Sequence, residues 1–283
     1  MPTPPDAPLA DLHAHTSCSD GRLTPAALVR KAEEHGLRAL AVTDHDTVAG
    51  LDEARATSVN CELHVIAGVE LSVTVDGEEL HLLGYFFEIN HPRLREALGR
   101  MRDGRRRRAK AMVKRLREKG VTLSFEAVEE QARDASAIGR PHVAAALAAG
   151  GHVASHQEAF DRYLHDGGPA FVRKSRFPIR EALAALHDAG GIGVLAHPGQ
   201  HTSTERVERL AKAGLDGLEV HHPSHPPHLA QYYEREARRL DLIPTGGSDY
   251  HGHRKRDEQR LGQYGIPHEQ LRKSEFGVPS LEC

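Results

Sequence analysis

The sequence predicts an α/β fold, a (β/α) barrel interrupted by an inserted helical subdomain, and three observations carry that expectation. Short apolar runs alternate with amphipathic helical patterns at both ends of the chain, as parallel strands joined by helical crossovers require. Between about His91 and Gly168 the alternation gives way to helical patterning alone. Polar clusters follow many of the strand-like runs, and no Gly-rich first turn of the dinucleotide-binding type is present. A barrel with its chemistry at the strand C-terminal ends therefore fits better than an open sheet.

The elements follow in order. Residues 9–12 form a short apolar run, read as a buried strand. Thr24-Pro25 marks a helix start, with Thr as N-cap and Pro in the first turn, and the helix ends at Gly36. "LRALAVTDHD" reads as a second buried strand and "AGLDEARAT" as a helix. "LHVIAGVELSVTV" and "EELHLLGYFFEI" are two strands joined at Asp76-Gly77, a hairpin signal. Four helical stretches fill the insertion, the first strongly basic ("ALGRMRDGRRRRAKAMVKRLREKG"). After Pro178 the order is helix "IREALAALHDAGG", strand "IGVLAHPG", helix "TERVERLAKAG", strand "DGLEVHH", helix "PPHLAQYYEREARRL" and strand "LIPTGGSDYHG". The polar tail beyond His253 has no clear pattern. The expected division is a barrel over 1–90 and 169–283, with 91–168 as a helical lid over the substrate.

Composition narrows the function. The 283 residues can bury a full core. Lys and Arg total 37 against 40 Asp and Glu, so the net charge of −3 gives no global signal for polyanions. Three cysteines (Cys18, Cys61, Cys283) are odd in number and form neither a disulfide framework nor a zinc-type pairing. The leader "MPTPPDAPL" lacks the pattern of a signal peptide. No apolar run approaches the ~18 residues needed to cross a membrane. The expected location is the cytoplasm, with no membrane association and no obligate protein partner.

Histidine is abundant, at 21 residues, and its placement is ordered. His13 and His15 close the first strand, and Asp44 and His45 close the second. Glu70 ends "VIAGVE", His81 lies in the next strand, His197 ends "GVLAH", Glu219 lies in "GLEV", and Asp249 and His251 follow "IPTGGSD". Strand residues at i and i+2 face the same way, so His13 and His15 can share one ion. A lone histidine at a strand end is commonly a hydrogen-bonded structural residue; a series behind successive strands points to metal. Imidazole with carboxylate suits Zn, Mn or Fe without choosing among them.

In this order "DLHAH", "TDHD", "GVE", "HLLG", "AHPG" and "SDYHG" resemble the PHP (polymerase and histidinol phosphatase) family of metal-dependent phosphoesterases, over nearly the whole chain. Within it, the chain is most similar to the subgroup of 3′,5′-nucleotide bisphosphate phosphatases and 5′→3′ exoribonucleases. The resemblance implies a distorted seven-stranded (β/α) barrel holding three divalent ions, Mn²⁺ first, with Zn²⁺ or Fe²⁺ as alternatives. One ion would take His13, His15, Glu70 and Asp249. A second would share Glu70 and take His81 and His197, and a third would take Asp20, His45 and His251. Asp44 would sit behind these ligands and orient an imidazole. The nucleophile would be metal-activated hydroxide rather than a side chain, so Cys18 has no chemical role.

Substrate recognition is expected from the insertion and its rim. "IGRPHVAAAL" starts a helix with Arg140 and His142, matching an Arg and a His of the bisphosphate phosphatase subgroup. A guanidinium fork suits phosphate; the alternative is an Arg–carboxylate surface pair. His225 in "PSHPP" matches a Ser-His of the subgroup, although His221-His222-Pro223 just before it departs from the smaller residues found there. Arg173 and Lys174 are placed to face incoming phosphate. The basic helix from Arg100 to Lys119 is either a track for a polynucleotide backbone or a solvated face. His152, His156, His165, His187, His228 and His268 are read as surface residues. The leading substrates are 3′,5′-bisphosphate nucleotides and short RNA 5′ ends. The rivals are histidinol phosphate or another small phosphate ester, and a non-catalytic metal-binding module.

Overall fold

A computed structural model describes residues 9–59, 61–200, 202–253 and 257–272 of the chain. The leader up to Pro8 and the third cysteine, Cys283, lie outside the described residues. Strand β1 (Leu9–Ala14), helix α1 (Pro25–Glu34), β2 (Ala39–Val42), α2 (Leu51–Ser58) and β3 (His64–Val75) build the first half of the barrel. Here β1, β2 and β3 pair in parallel. Thr24 caps α1 by accepting the Ala27 N–H, and Pro25 occupies the first turn, as the sequence indicates.

Strand β4 (Glu78–Tyr85) departs from the alternating pattern. It folds back on β3 through Asp76-Gly77, both at positive φ, and runs antiparallel to β3 and to β5 (Ile192–Leu195). The hairpin lets β4 carry His81 across the sheet from Ser72. Beyond it, α7 (Ile179–Asp188) precedes β5, α8 (Thr204–Lys212) precedes β6 (Gly217–His221), and α9 (Pro227–Leu240) precedes β7 (Ile243–Gly246). Strands β5, β6 and β7 are parallel.

The ring nearly closes between β7 and β1. The His15 N–H donates to Tyr250 O at 2.9 Å. Gly247 packs so tightly that a Cβ there would lie 2.3 Å from His13 Cβ, so only glycine fits. The tail supplies what the sequence did not place: a two-residue strand, β8 (Ile266–Pro267), pairs antiparallel with Leu9 and Ala10 at the other end of β1. It borders β1 on the side away from β2. His268, read as a surface residue, is instead buried there and stacks on His64 with centroids 6.0 Å apart.

Alternate strand positions feed two apolar layers. One lies under the helices and includes Leu28, Leu40, Val69, Leu183 and Leu210. The other consists almost only of strand residues, among them Ala10, Ala41, Ile66, Leu83 and Val194, and fills the ring. The insertion contributes α3 (Pro92–Glu118), α4 (Phe125–Gln131), α5 (Arg140–Ala149), α6 (His156–Ala159) and a π-turn over Phe160–Leu164. Its own core gathers Ala109, Met112, Leu116, Val143 and Leu147. The first half of α3 (Leu94, Leu98, Met101) belongs to the barrel core instead. One helix thus ties the two cores, and the division between them falls inside α3. Among the described residues no helix is long and apolar enough to cross a membrane.

Candidate metal centre

Glu70 in β3 is the hub of the rim, and it is 1 % exposed. Its Oε1 lies 2.8 Å from His81 Nδ1 and 3.0 Å from His197 Nε2. Its Oε2 lies 2.9 Å from His45 Nδ1, 3.3 Å from His15 Nε2 and 3.4 Å from His13 Nε2. Asp249, just past β7, brings Oδ1 to 3.2 Å from His15 Nε2 and 3.4 Å from His13 Nε2. Asp20, in the loop after β1, brings Oδ1 to 3.3 Å from His251 Nε2 and Oδ2 to 3.9 Å from His45 Nε2. All nine residues expected as ligands meet at this rim. Two of them, His197 and Asp249, have φ of +25° and +49°, backbone strain of the kind that collects at functional sites.

The donor atoms fit a metal better than they fit one another. His13 Nε2, both ring nitrogens of His15, His45 Nδ1 and Glu70 Oε2 are buried and have no hydrogen-bond partner, despite these short approaches. Leaving a buried polar atom unsatisfied costs about 1–3 kcal/mol each. Ligand atoms ~2 Å from a shared ion necessarily sit about 3 Å from one another, so ions between them would satisfy the orphans. The donors fall into overlapping sets, among them His15–Asp20–His45–His251, His13–His15–Glu70 and His45–Glu70–His81, each with atoms within 4.8 Å of one another.

The electrostatics favour ligand forms for most of the set. Burial pushes the Glu70 carboxyl up, but His45, His81 and His13 outweigh it and hold it well below the usual range. Asp20 and Asp249 are held low in the same way, against burial, by His45 and His251 and by His13 and His251 respectively. Burial lowers His15 to about 3 and His81 to about 4, leaving neutral imidazoles. His13, His197 and His251 differ: burial opposes their charge, yet neighbouring carboxylates raise all three, Glu219 and Glu70 acting on His13 and His197, and Asp20 and Asp249 bringing His251 to about 10.

Some residues act differently from what their sequence positions suggest. Asp44 meets no imidazole among the described residues; it accepts from Thr16 N–H (2.8 Å), Thr16 Oγ1 (2.6 Å) and Ser19 Oγ (2.6 Å), and so fixes the loop that presents Asp20. His225, expected at a phosphate, uses both ring nitrogens on backbone: Nδ1 lies 2.9 Å from Val220 O, and Nε2 accepts from Gly199 N–H at 3.2 Å. It braces the turn after His197. Glu219 carries more than its place in "GLEV" indicated: Oε1 lies 2.8 Å from His13 Nδ1, and Oε2 accepts the His197 N–H at 2.6 Å. Holding Nδ1 turns Nε2 of His13 into the centre. Burial and the Asp44 charge push the Cys18 thiol up to about 11, which disfavours its thiolate near neutrality.

The cations lie beside the rim. Lys174 Nζ is 3.1 Å from His81 Nε2, 3.3 Å from Ser72 Oγ and 2.5 Å from Glu79 Oε1. With Ser72, Arg173 and Phe171 it lines a cleft of about 970 Å³. Arg140 pairs with Asp166 and donates to Leu164 O at 3.2 Å, so a carboxylate already holds it. His142 Nδ1 accepts the Gly139 N–H at 3.0 Å and lies beside the Ser19–Asp20 turn. Two arginines on α3 are buried, which the basic run in the sequence did not reveal. Arg105 pairs with Asp46 and donates to Ser72 Oγ at 2.9 Å. Arg108 donates through Nε to Val172 O at 2.6 Å, while its Nη2 has no hydrogen-bond partner.

The chain is similar to known proteins along most of its length. The family model described as the PHP domain matches residues 11–165. A 5′-3′ exoribonuclease of Haemophilus influenzae is 35 % identical over 246 residues, 85 % of this chain and 89 % of that protein. A 3′,5′-nucleoside bisphosphate phosphatase of Chromobacterium violaceum is 32 % identical over 246 residues, 85 % of this chain and 86 % of its own length. A Bifidobacterium adolescentis protein, solved as a candidate metal-dependent phosphoesterase, superposes with a TM-score of 0.87 at 33 % identity over 97 % of this chain and 99 % of its own. With a matching family model over more than half its length and such relatives along nearly all of it, the chain belongs to the PHP-domain family.

Proposed function

We propose that this protein hydrolyses phosphate esters of nucleotides at a centre of three divalent ions, with Mn²⁺ as the favoured metal. The leading substrates are 3′,5′-bisphosphate nucleotides, with short RNA 5′ ends as a related class. The observation that carries the reading is the convergence of nine ligand-type residues on one rim, where buried atoms of His13, His15, His45 and Glu70 have no hydrogen-bond partner. His13, His15, Glu70 and Asp249 would hold one ion, Glu70, His81 and His197 a second, and Asp20, His45 and His251 a third. Bound there, divalent ions supply an acidified water and a clamp for phosphoryl oxygens.

This chain's own residues do the rest. Glu219 and Asp44 fix a ligand ring and a ligand loop. Lys174 and Arg173 face the cleft with positive charge, and Arg108 adds a buried guanidinium whose unpaired nitrogen suits an anionic group. Arg140 would reach a second phosphate by giving up Asp166, a carboxylate 80 % exposed and so weakly held. His142 would position the turn carrying Asp20. The insertion would serve as the lid: Ser136 N–H donates to Cys18 O at 2.9 Å, and Ser136 Oγ meets Thr47 Oγ1, joining the insertion to two rim loops. The relatives named above support nucleotide substrates.

The test is phosphate release with Mn²⁺ from a panel of nucleoside 3′,5′-bisphosphates, mononucleotides, histidinol phosphate, sugar phosphates and short 5′-phosphorylated RNAs. The highest kcat/KM is expected on a bisphosphate. Preference for histidinol phosphate would overturn the substrate assignment, and no release from any ester would overturn the enzymatic reading.

A further inference from the structure

A seventh imidazole stands within ligand distance of the centre. His222, the first residue past β6, is 6 % exposed, and its Nε2 lies 3.4 Å from Asp249 Oδ2. Its ring centroid is 5.1 Å from that of His197 and 6.1 Å from that of His13. By proximity alone His13, His222 and Asp249 form a further three-donor set.

The hydrogen bonds of His222 decide its role. The Ser224 backbone N–H points at His222 Nδ1 from 3.1 Å, and the Ser224 hydroxyl lies 2.7 Å from the same atom. A backbone N–H can only donate, so Nδ1 is the acceptor and the neutral ring carries its proton on Nε2. A protonated Nε2 has no lone pair to offer an ion; it has an N–H to give. The atom facing it is Asp249 Oδ2, while Oδ1 of the same carboxylate faces His15, His13 and His251 at 3.2, 3.4 and 3.5 Å. The two oxygens of Asp249 are therefore divided between different partners. Glu219 and His13 show the same arrangement with the chemical types exchanged, a carboxylate there holding a ligating imidazole.

We propose that His222 is not a metal ligand but the positioning residue of Asp249, its Nε2–H holding Oδ2 aside so that Asp249 meets an ion through Oδ1 alone. This rests on the metal-centre reading above. Without that hydrogen bond the carboxylate is free to turn, and the ion it serves is held less tightly.

The readout is metal binding, not turnover. Mn²⁺ affinity and stoichiometry are measured by calorimetry and chelator competition for the wild type, His222→Ala and His222→Gln, with thermal melts of the chelator-treated proteins as the folding control. His222→Ala should weaken one ion by about 10–100-fold, as loss of a hydrogen bond behind a ligand does. Glutamine can place an amide N–H near the position of Nε2, so His222→Gln should bind within about threefold of wild type. Unchanged affinity in His222→Ala, or a loss in folded His222→Gln as large as in His222→Ala, would each overturn the proposal. Should His222→Ala fail to fold, His222→Gln decides: near-wild-type affinity supports it, and a loss above tenfold refutes it. A wild type that binds no divalent ion would overturn the metal-centre reading, and the inference with it.

Discussion

The histidine rim and the arginine-rich helix α3 are both strongly biased stretches of polar sequence, yet their polar atoms meet opposite fates. At the rim, buried nitrogens and carboxylate oxygens crowd together and leave several donors without partners. On α3 most of the charge is already engaged. Arg93 pairs with Asp188, Arg100 with Glu181, Arg105 with Asp46 and Arg106 with Glu129, while Arg115 and Arg117 donate to the carbonyls of Phe171 and Leu123. Abundance of a residue type therefore says little. Unsatisfied, buried and convergent groups mark the site, and satisfied ones mark scaffold. On this view α3 ties the insertion to the barrel, and its outer face is a minor contributor to substrate binding.

The contrast can be broken first at the rim. His197→Ala or Asp249→Ala removes a ligand without touching an apolar core, so the fold should persist while kcat falls. A loss of at least ~10²-fold, roughly 2.7 kcal/mol of transition-state stabilisation, is expected in steady-state assays. Near-normal kcat in a folded variant would mean that these residues hold no functional ion.

On α3 the expected effect is on stability. Arg105→Ala strands the buried Asp46 carboxylate, and breaking a buried pair costs about 3–5 kcal/mol. Arg100→Ala removes a largely exposed pair and should cost about 0–1 kcal/mol. Denaturant melts compare the two directly; equal losses would erase the distinction between buried and exposed arginines on this helix.

Acidity sharpens the rim further. Because Asp20 and Asp249 raise His251 to about 10, an ion entering there must displace a proton throughout the neutral range. Raising the pH therefore strengthens binding at that site, by about tenfold per unit where a single proton competes. Calorimetric titrations in buffers of different ionisation enthalpy should register proton release. Affinity independent of pH between 6 and 9 would remove His251 from the ligand set.

The smallest effect belongs to the exposed face of α3. Arg107→Gln with Lys114→Gln should change kcat/KM on a bisphosphate nucleotide by less than about twofold, since exposed charges are screened. A fall of tenfold or more, strongest at low salt, would restore the backbone-tracking role.

These two regions also show what a sequence exposes. The ordered motifs at strand ends were enough to expect His13, His15, His45, Glu70, His197, Asp249 and His251 on one rim, because parallel strands of a barrel deliver their C-terminal residues there. The Asp76-Gly77 turn likewise announced the β3–β4 hairpin. Side-chain partnerships were not legible. Whether His225 faces a phosphate or two backbone groups depends on where Gly199 and Val220 come to lie, and only the folded chain brings them together. The same holds for Glu219 behind His13 and for Asp46 beneath Arg105, whose partners are remote in sequence. The tail strand β8 was hidden for another reason: two residues, one of them proline, carry no periodicity.

The central claim is that nine residues form one centre for several ions, and metal content tests it most directly. The purified protein, loaded with Mn²⁺ and freed of excess, should hold up to three ions per chain by elemental analysis, with anomalous scattering peaks among His13, Glu70, His81, His251 and their neighbours. Metal-replete protein with no more than one ion per chain would contradict the account.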